Sequence, residues 1–148
     1  MGIDDDYRNG VKTVFEIGMC GRAELTVMPE DTAAALKSGG IESFSTPMLV
    51  ALMESAACNA LENVLPRGVT TVGTSINVSH TSATPVGMRV WAEAKLSDFS
   101  GKGISFFIEA FDEKGKIGHA AHKRLAVVEQ KFMDRVNEKL QNSQNFDT

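Results

Sequence analysis

The stretch TPMLVALMESAAC, residues 46–58, decides how this chain folds. It is apolar at most positions and predicts a helix, yet it contains the carboxylate of Glu54. At about 100° per residue, this side chain shares a face with Val50, Ala51, Ala57, Cys58 and Leu61. No Lys or Arg lies three or four residues away to form a helical ion pair. Because an unpaired buried carboxylate is costly or has a raised pKa, Glu54 needs a partner from outside the helix or is kept for catalysis.

Composition narrows the class of protein. The 148 residues suit one domain with a sizeable core, and 15 Lys and Arg against 19 Asp and Glu give a net charge of −4. Without a basic run, nucleic-acid binding is not expected. The start of the chain has no apolar signal core, and no stretch approaches the roughly 18 apolar residues of a membrane span. Cys20 and Cys58 are interpreted as free thiols of a cytoplasmic protein.

The flanking sequence predicts one domain, residues 13–130, between a flexible segment, 1–12, and a tail, 131–148. A first strand is predicted over 14–27, a short helix from Pro29 to Gly39, and the long helix from Thr46 to about Leu65. Period-two alternation and turn signals then predict four consecutive strands, over 72–80, 90–96, 104–111 and 117–128. The tail is predicted to form a short helix over 131–140 and to be disordered from 141.

This order of elements indicates an α+β fold, in which one long helix lies on a curved antiparallel sheet. The helix is apolar around most of its circumference. Its polar strip is narrow and consists of Ser55, Asn59, Glu62 and Asn63. A helix of that kind is usually covered by more than its own sheet, so we expect a partner subunit.

Three segments together resemble a known family: residues 46–54, residues 73–85 (GTSINVSHTSATP) and residues 122–128 (HKRLAVV). They are similar to the fluoroacetyl-CoA thioesterases of the hotdog-fold superfamily, over roughly residues 25–132. The resemblance implies a five-stranded antiparallel sheet wrapped round one long helix. It also implies a homodimer with paired sheets and active sites at the interface, and leaves open whether dimers stack into tetramers.

The resemblance further implies an acyl-CoA thioesterase and assigns its site residues. Thr46, Glu54 and His80 match the family's catalytic residues, and Gly73 and Arg124 match positions that line the acyl pocket. Glu54 would attack the carbonyl or activate water, His80 would carry a proton, and Thr46 would position the carbonyl or water. No cofactor is implied beyond the coenzyme A of the substrate.

Each assignment has a structural alternative. Thr46 before Pro47 is also a good N-cap, His80 also suits a hydrogen-bonded core position, and Arg124 also suits a structural ion pair. His119 and His122 are three apart on a predicted strand and so do not predict a metal site. A non-catalytic acyl-CoA-binding dimer is the alternative function.

The segment before Thr46 departs from the family. Where the fluoroacetyl-CoA enzymes carry phenylalanines that form an apolar lid, the corresponding positions here are Lys37 and Gly40. These residues do not close a dry pocket as phenylalanine does. We therefore expect a short or medium acyl-CoA as substrate, without selectivity for a fluorinated acyl group.

Overall fold

A computed structural model describes residues 15–146 of the chain. After a short strand come a 3₁₀ turn and a one-turn helix, then the long helix, four strands and a final helix. In chain order these are β1 (Cys20–Thr26), the 3₁₀ turn (Pro29–Asp31), α1 (Ala33–Leu36), α2 (Thr46–Ala60), β2 (Val69–His80), β3 (Arg89–Ser100), β4 (Gly103–Asp112), β5 (Gly115–Val128) and α3 (Glu129–Phe146). No helix in this part of the chain is both long and apolar enough to cross a membrane.

The five strands form one antiparallel sheet in the order β1-β3-β4-β5-β2, so β1 and β2 are its edges. Alternate residues of the central strands β3 and β4 are buried, as period-two patterning requires. Helix α2 packs on this buried face, mainly against β1 and β3. The predicted α+β fold, with one long helix on a curled antiparallel sheet, is confirmed.

Helix α2 begins on a serine cap. Ser45 is fully buried, and its Oγ accepts a hydrogen bond of 3.2 Å from the Met48 N–H. Thr46 is therefore the first residue of the helix, and its interpretation as the N-cap was wrong. The helix ends at Ala60, earlier than the predicted Leu65, because residues 61–64 form turns.

Strand β2 differs from its prediction in one respect that matters for the site. Its pairing with β5 shifts between Gly73 and Ser75, which is a β-bulge at Thr74. The Thr74 hydroxyl donates to the Lys123 carbonyl at 3.1 Å. The predicted unbroken alternation along β2 is wrong at this point, because one extra residue changes which side chains face the helix.

The termini also depart from expectation. Strand β1 begins at Cys20, and the predicted flexible segment, 1–12, lies outside the described residues. Helix α3 runs from Glu129 to Phe146 and so continues beyond the predicted end at residue 140. The Glu129 N–H at the start of this helix donates a hydrogen bond of 3.0 Å to the Gly68 carbonyl. Because this contact helps to fix the first turn, further turns of the helix form at a lower cost in free energy than the first one. The predicted domain bounds and the disordered tail stay predictions.

Candidate active site

The first part of the site joins the start of α2 to the end of β2. Thr46 Oγ1 lies 2.9 Å from His80 Nδ1, although 34 residues separate them in sequence. Thr46 is free to make this contact because Ser45 performs the capping. Pro47 has no N–H, and Ser45 already accepts from the Met48 N–H. Within residues 15–146, the N–H of Thr46 is therefore the backbone donor of this first turn that has no hydrogen-bond acceptor.

The other side of the His80 ring is enclosed. Phe44 is buried and meets the imidazole edge-on, with 6.3 Å between the ring centroids. His80 Nε2 is buried and forms no hydrogen bond with the described residues. Burial lowers the pKa of His80, and the backbone of Ser82 opposes this shift. A neutral imidazole with an unoccupied buried nitrogen suits proton transfer to or from a bound molecule.

The second part of the site surrounds Glu54. Glu54 Oε2 lies 3.1 Å from Arg124 Nη1, and the Glu54 side chain is 39% exposed in the single chain. Glu54 is therefore partly exposed in the single chain, and it has the partner from outside the helix that was one of the two alternatives. The partner is supplied by β5, 70 residues further along the chain, which no inspection of the helix alone would find.

Arg124 is itself buried and held on several sides. Its Nε donates to Thr71 Oγ1 at 2.8 Å and its Nη2 to the Thr71 carbonyl at 3.0 Å. Its Nη1 reaches both Glu54 and His122 Nε2, each at 3.1 Å. Because the guanidinium is planar, these contacts fix the direction in which it meets the carboxylate.

Gly73 leaves room for this arrangement. A Cβ added at Gly73 would lie 2.5 Å from Glu54 Oε2, and 3.3 and 3.4 Å from atoms of His122 and Arg124. Any other residue would displace the carboxylate. The predicted pocket residues Gly73 and Arg124 thus lie together with Glu54, and the absence of a side chain is what Gly73 contributes.

His122 belongs to the same cluster, although the sequence analysis argued against it as a metal ligand and assigned it no role at the site. Its Nδ1 lies 2.8 Å from the Ser75 carbonyl and its Nε2 faces Arg124. A usable signal was available, since His122 and Arg124 are two residues apart on a strand and so share a face. Among the described residues no group of three or more His, Cys, Asp or Glu side chains is arranged to hold a metal ion.

The two parts of the site do not meet within one chain. No hydrogen bond of residues 15–146 joins Glu54 to Thr46 or His80. The eight residues from Thr46 to Glu54 span about 12 Å along the axis of a helix. One chain therefore holds a hydroxyl–imidazole pair and, separately, a carboxylate–guanidinium pair.

A cleft of about 320 Å³ opens beside the Thr46–His80 pair. It is lined by residues that include Ser38, Ile41 and Phe44. The segment that carries Lys37 and Gly40 borders this cleft, and its base is tied by hydrogen bonds of 3.0 Å from the Ala33 and Ala34 N–H groups to Ser43 and Ile41. Lys37 itself is exposed and takes a left-handed backbone conformation at the end of α1, with φ 58°.

Comparisons with known proteins identify the family of this chain. The profile of the family described as fluoroacetyl-CoA-specific thioesterase (FlK) matches residues 27–131. A fluoroacetyl-CoA thioesterase from Streptantibioticus cattleyicolor is 37% identical over 98 residues, which make up 66% of this chain and 70% of that protein.

Solved structures show the same relationship. A crystal structure of a variant of the fluoroacetyl-CoA-specific thioesterase FlK has a TM-score of 0.80 and 31% identity, covering 86% of this chain and 99% of that one. A hot-dog-like protein from Thermanaerovibrio acidaminovorans shares the fold, with a TM-score of 0.77, 24% identity and coverage of 84% and 93%. From its sequence, its sheet and its long helix, this chain belongs to the fluoroacetyl-CoA-specific thioesterase family, a family of thioester hydrolases with the hotdog fold.

Proposed function

We propose that this protein hydrolyses acyl-CoA thioesters to a carboxylic acid and free coenzyme A. The observation that carries the proposal is the contact of 2.9 Å between Thr46 and His80 beside a cleft, in a chain related to thioesterases. Thioester hydrolysis needs a carboxylate or water as nucleophile, a proton carrier for the departing thiol and a donor for the oxyanion. The chain contains a group suited to each of these tasks.

The complete site is proposed to form between two copies of the chain. Strand β2 is a 12-residue edge strand whose residues Gly73, Thr74 and Ser75 are exposed, and such an edge offers unpaired backbone groups to another strand. Helix α2 beside it exposes small residues, Ala51, Ser55 and Cys58, which allow close approach of another helix. Both features favour a homodimer joined through β2.

An antiparallel β2–β2 pairing centred on Asn77 would bring the two half-sites together, because Ile76 then opposes Val78 of the partner subunit and both project toward the helix layer. In that register, His80 of one protomer lies near Gly73 of the partner subunit. Because directly opposed residues of an antiparallel pair project to the same face, Thr46 and His80 would then approach Glu54 of the partner subunit. The bulge at Thr74 supports this, since it lets Gly73 and His80, an odd number of residues apart, both face the helix layer.

The proposed roles follow from the contacts. Arg124 holds Glu54 Oε2, which leaves Oε1 to attack the thioester carbonyl or to take a proton from water. His80, held by Thr46, moves a proton to the departing thiolate through Nε2. The Thr46 N–H at the start of α2 donates to the developing oxyanion. No cofactor is proposed, because coenzyme A enters with the substrate.

The proposed substrates are short or medium acyl-CoA thioesters. The cleft is small, and the segment that borders it presents an exposed lysine and two exposed glycines in place of an apolar cover. Such a border does not select a fluorinated two-carbon acyl group. Rates over a panel of acyl-CoA thioesters test this, and a strong preference for fluoroacetyl-CoA over acetyl-CoA would contradict it.

Release of free thiol from an acyl-CoA tests the activity itself. We expect Glu54→Gln to lower kcat/KM by on the order of 100-fold or more, because the amide neither attacks nor accepts the proton of water. Glu62→Gln, at an exposed carboxylate just beyond α2, is the matched control and should retain the parent rate. Acyl-CoA binding without turnover, or equal rates in parent and Glu54→Gln, would instead favour a non-catalytic acyl-CoA-binding dimer.

A further inference from the structure

We propose that His122 is a positioning residue, which fixes the Glu54 carboxylate through Arg124 and releases it when the imidazole takes up a second proton. This inference rests on the proposed role of Glu54 in thioester hydrolysis. His122 touches neither the cleft nor Thr46 and His80 among the described contacts, so it acts only through its neighbours.

The contacts of His122 select one tautomer. The imidazole is 2% exposed, and its Nδ1 lies 2.8 Å from the Ser75 carbonyl, which only accepts hydrogen bonds. Nδ1 must therefore carry the proton. In the neutral ring Nε2 then has a free lone pair, and it accepts from Arg124 Nη1 at 3.1 Å.

Arg124 transmits this orientation to Glu54. Its Nη1 carries two hydrogens, and one is directed to His122 Nε2 while the other is directed to Glu54 Oε2. Thr71 holds the opposite side of the guanidinium with its hydroxyl and its carbonyl. Without the imidazole of His122, Arg124 Nη1 would lose one hydrogen-bond acceptor. The guanidinium would then be less fixed, and the Glu54 carboxylate bound to it would occupy a wider range of positions.

A second proton on His122 would break the link. Nε2 would become a donor that faces the donor Nη1, and two positive charges would be in contact. The groups that face the imidazole are Arg124 on its own strand, the Ser75 carbonyl of β2, Glu54 of α2 and the Phe106 ring of β4, whose centroid is 6.3 Å away. Glu54 is the acidic group among them and opposes the repulsion.

The protonation equilibrium of His122 agrees with this geometry. Burial lowers its pKa most, the Ser75 carbonyl raises it, Arg124 lowers it further, and Glu54 raises it. The link is therefore intact at neutral pH and is lost as the pH falls below the ordinary range of histidine. We expect protonation of His122 to be one of the steps in the acid limb of kcat.

Two variants of His122 separate positioning from simple packing. His122→Phe keeps the ring volume but removes the acceptor, and we expect kcat to fall about tenfold or more with a much smaller change in KM. His122→Gln keeps an acceptor that reaches Arg124 but does not titrate. His122→Gln should restore most of kcat, and the acid limb of its pH profile should lack the protonation of His122 that the parent protein shows.

Thr84→Val serves as the control for loss of a buried hydrogen bond outside the His122–Arg124–Glu54 link, because Thr84 Oγ1 donates to Asp112 Oδ2 at 2.8 Å. It should lower the melting temperature without changing the pH profile. If His122→Phe, measured on folded protein, keeps the parent kcat and acid limb, the positioning role is wrong.

Nitrogen-15 NMR of the histidine-labelled parent protein tests the same inference without enzymatic activity. At neutral pH we expect His122 to be protonated at Nδ1 and unprotonated at Nε2. The opposite tautomer would overturn the inference even if the thioesterase is active. A parent protein without activity but with this tautomer would refute the proposed hydrolysis and leave the His122–Arg124–Glu54 link supported.

Discussion

Two neighbouring residues at the start of α2 have different tasks: Ser45 points inward and caps the helix, and Thr46 contacts His80. The division matters because a capping hydroxyl accepts from a backbone N–H and is no longer free to act on a substrate. The capping interpretation of Thr46 fails here for that reason, and the predicted site role of Thr46 stays a prediction.

Substitutions of these two residues should therefore affect different properties. Ser45→Ala removes the cap and should lower the free energy of unfolding by about 1 kcal/mol while most of kcat is retained. Thr46→Ala should leave the melting temperature nearly unchanged but lower kcat/KM, and Thr46→Ser should restore much of it. Thermal melts and thiol-release assays of the three variants check this. A loss of stability in Thr46→Ala as large as in Ser45→Ala would contradict the division.

At the scale of elements, α2 lies unusually close to the edge strand β1. A Cβ at Gly21 would overlap backbone atoms of Ala56 and Ala60, so only glycine allows the helix to approach the strand this closely. Ala56 and Ala60, which face Gly21, are small and buried. This packing positions the helix that carries both Thr46 and Glu54.

Gly21→Ala should consequently lower the free energy of unfolding by about 2 kcal/mol, because backbone atoms cannot move aside as a flexible side chain can. Gly40→Ala is the matched control: nothing lies near the added methyl group and the backbone conformation there is not strained. It should be neutral or slightly stabilising. Chemical denaturation measures both, and equal stability of the two variants would refute the close approach.

At the scale of the whole molecule, the open question is how two half-sites about 12 Å apart along one helix become one site. The proposed dimer answers it with residues from both protomers. Such a site has a consequence that a site within one chain lacks, because defects in different protomers can complement each other.

We therefore expect Glu54→Ala and His80→Ala, each nearly inactive alone, to regain activity when mixed and allowed to exchange subunits. In a two-fold dimer half of the mixed species are heterodimers with one intact site of two, so about a quarter of the parent activity should return. Analytical ultracentrifugation checks the dimer, and thiol release checks the rate. If the mixtures stay inactive although subunit exchange has been verified, the site is not shared between protomers and the proposed dimer site is wrong.

The sequence by itself determined the order of the elements, the buried faces of β3 and β4, and the residue types at the site, because these depend on local periodicity and on motifs read along the chain. The tertiary structure decided the partner of Glu54, the bond between Thr46 and His80, and the inclusion of His122. Each of these depends on which residue of a distant strand comes to face the helix. The register of the β2–β5 pairing and the bulge at Thr74 determine which residues of these strands face the helix. A shift of one residue would turn the site residues of β2 and β5 to the opposite face of the sheet.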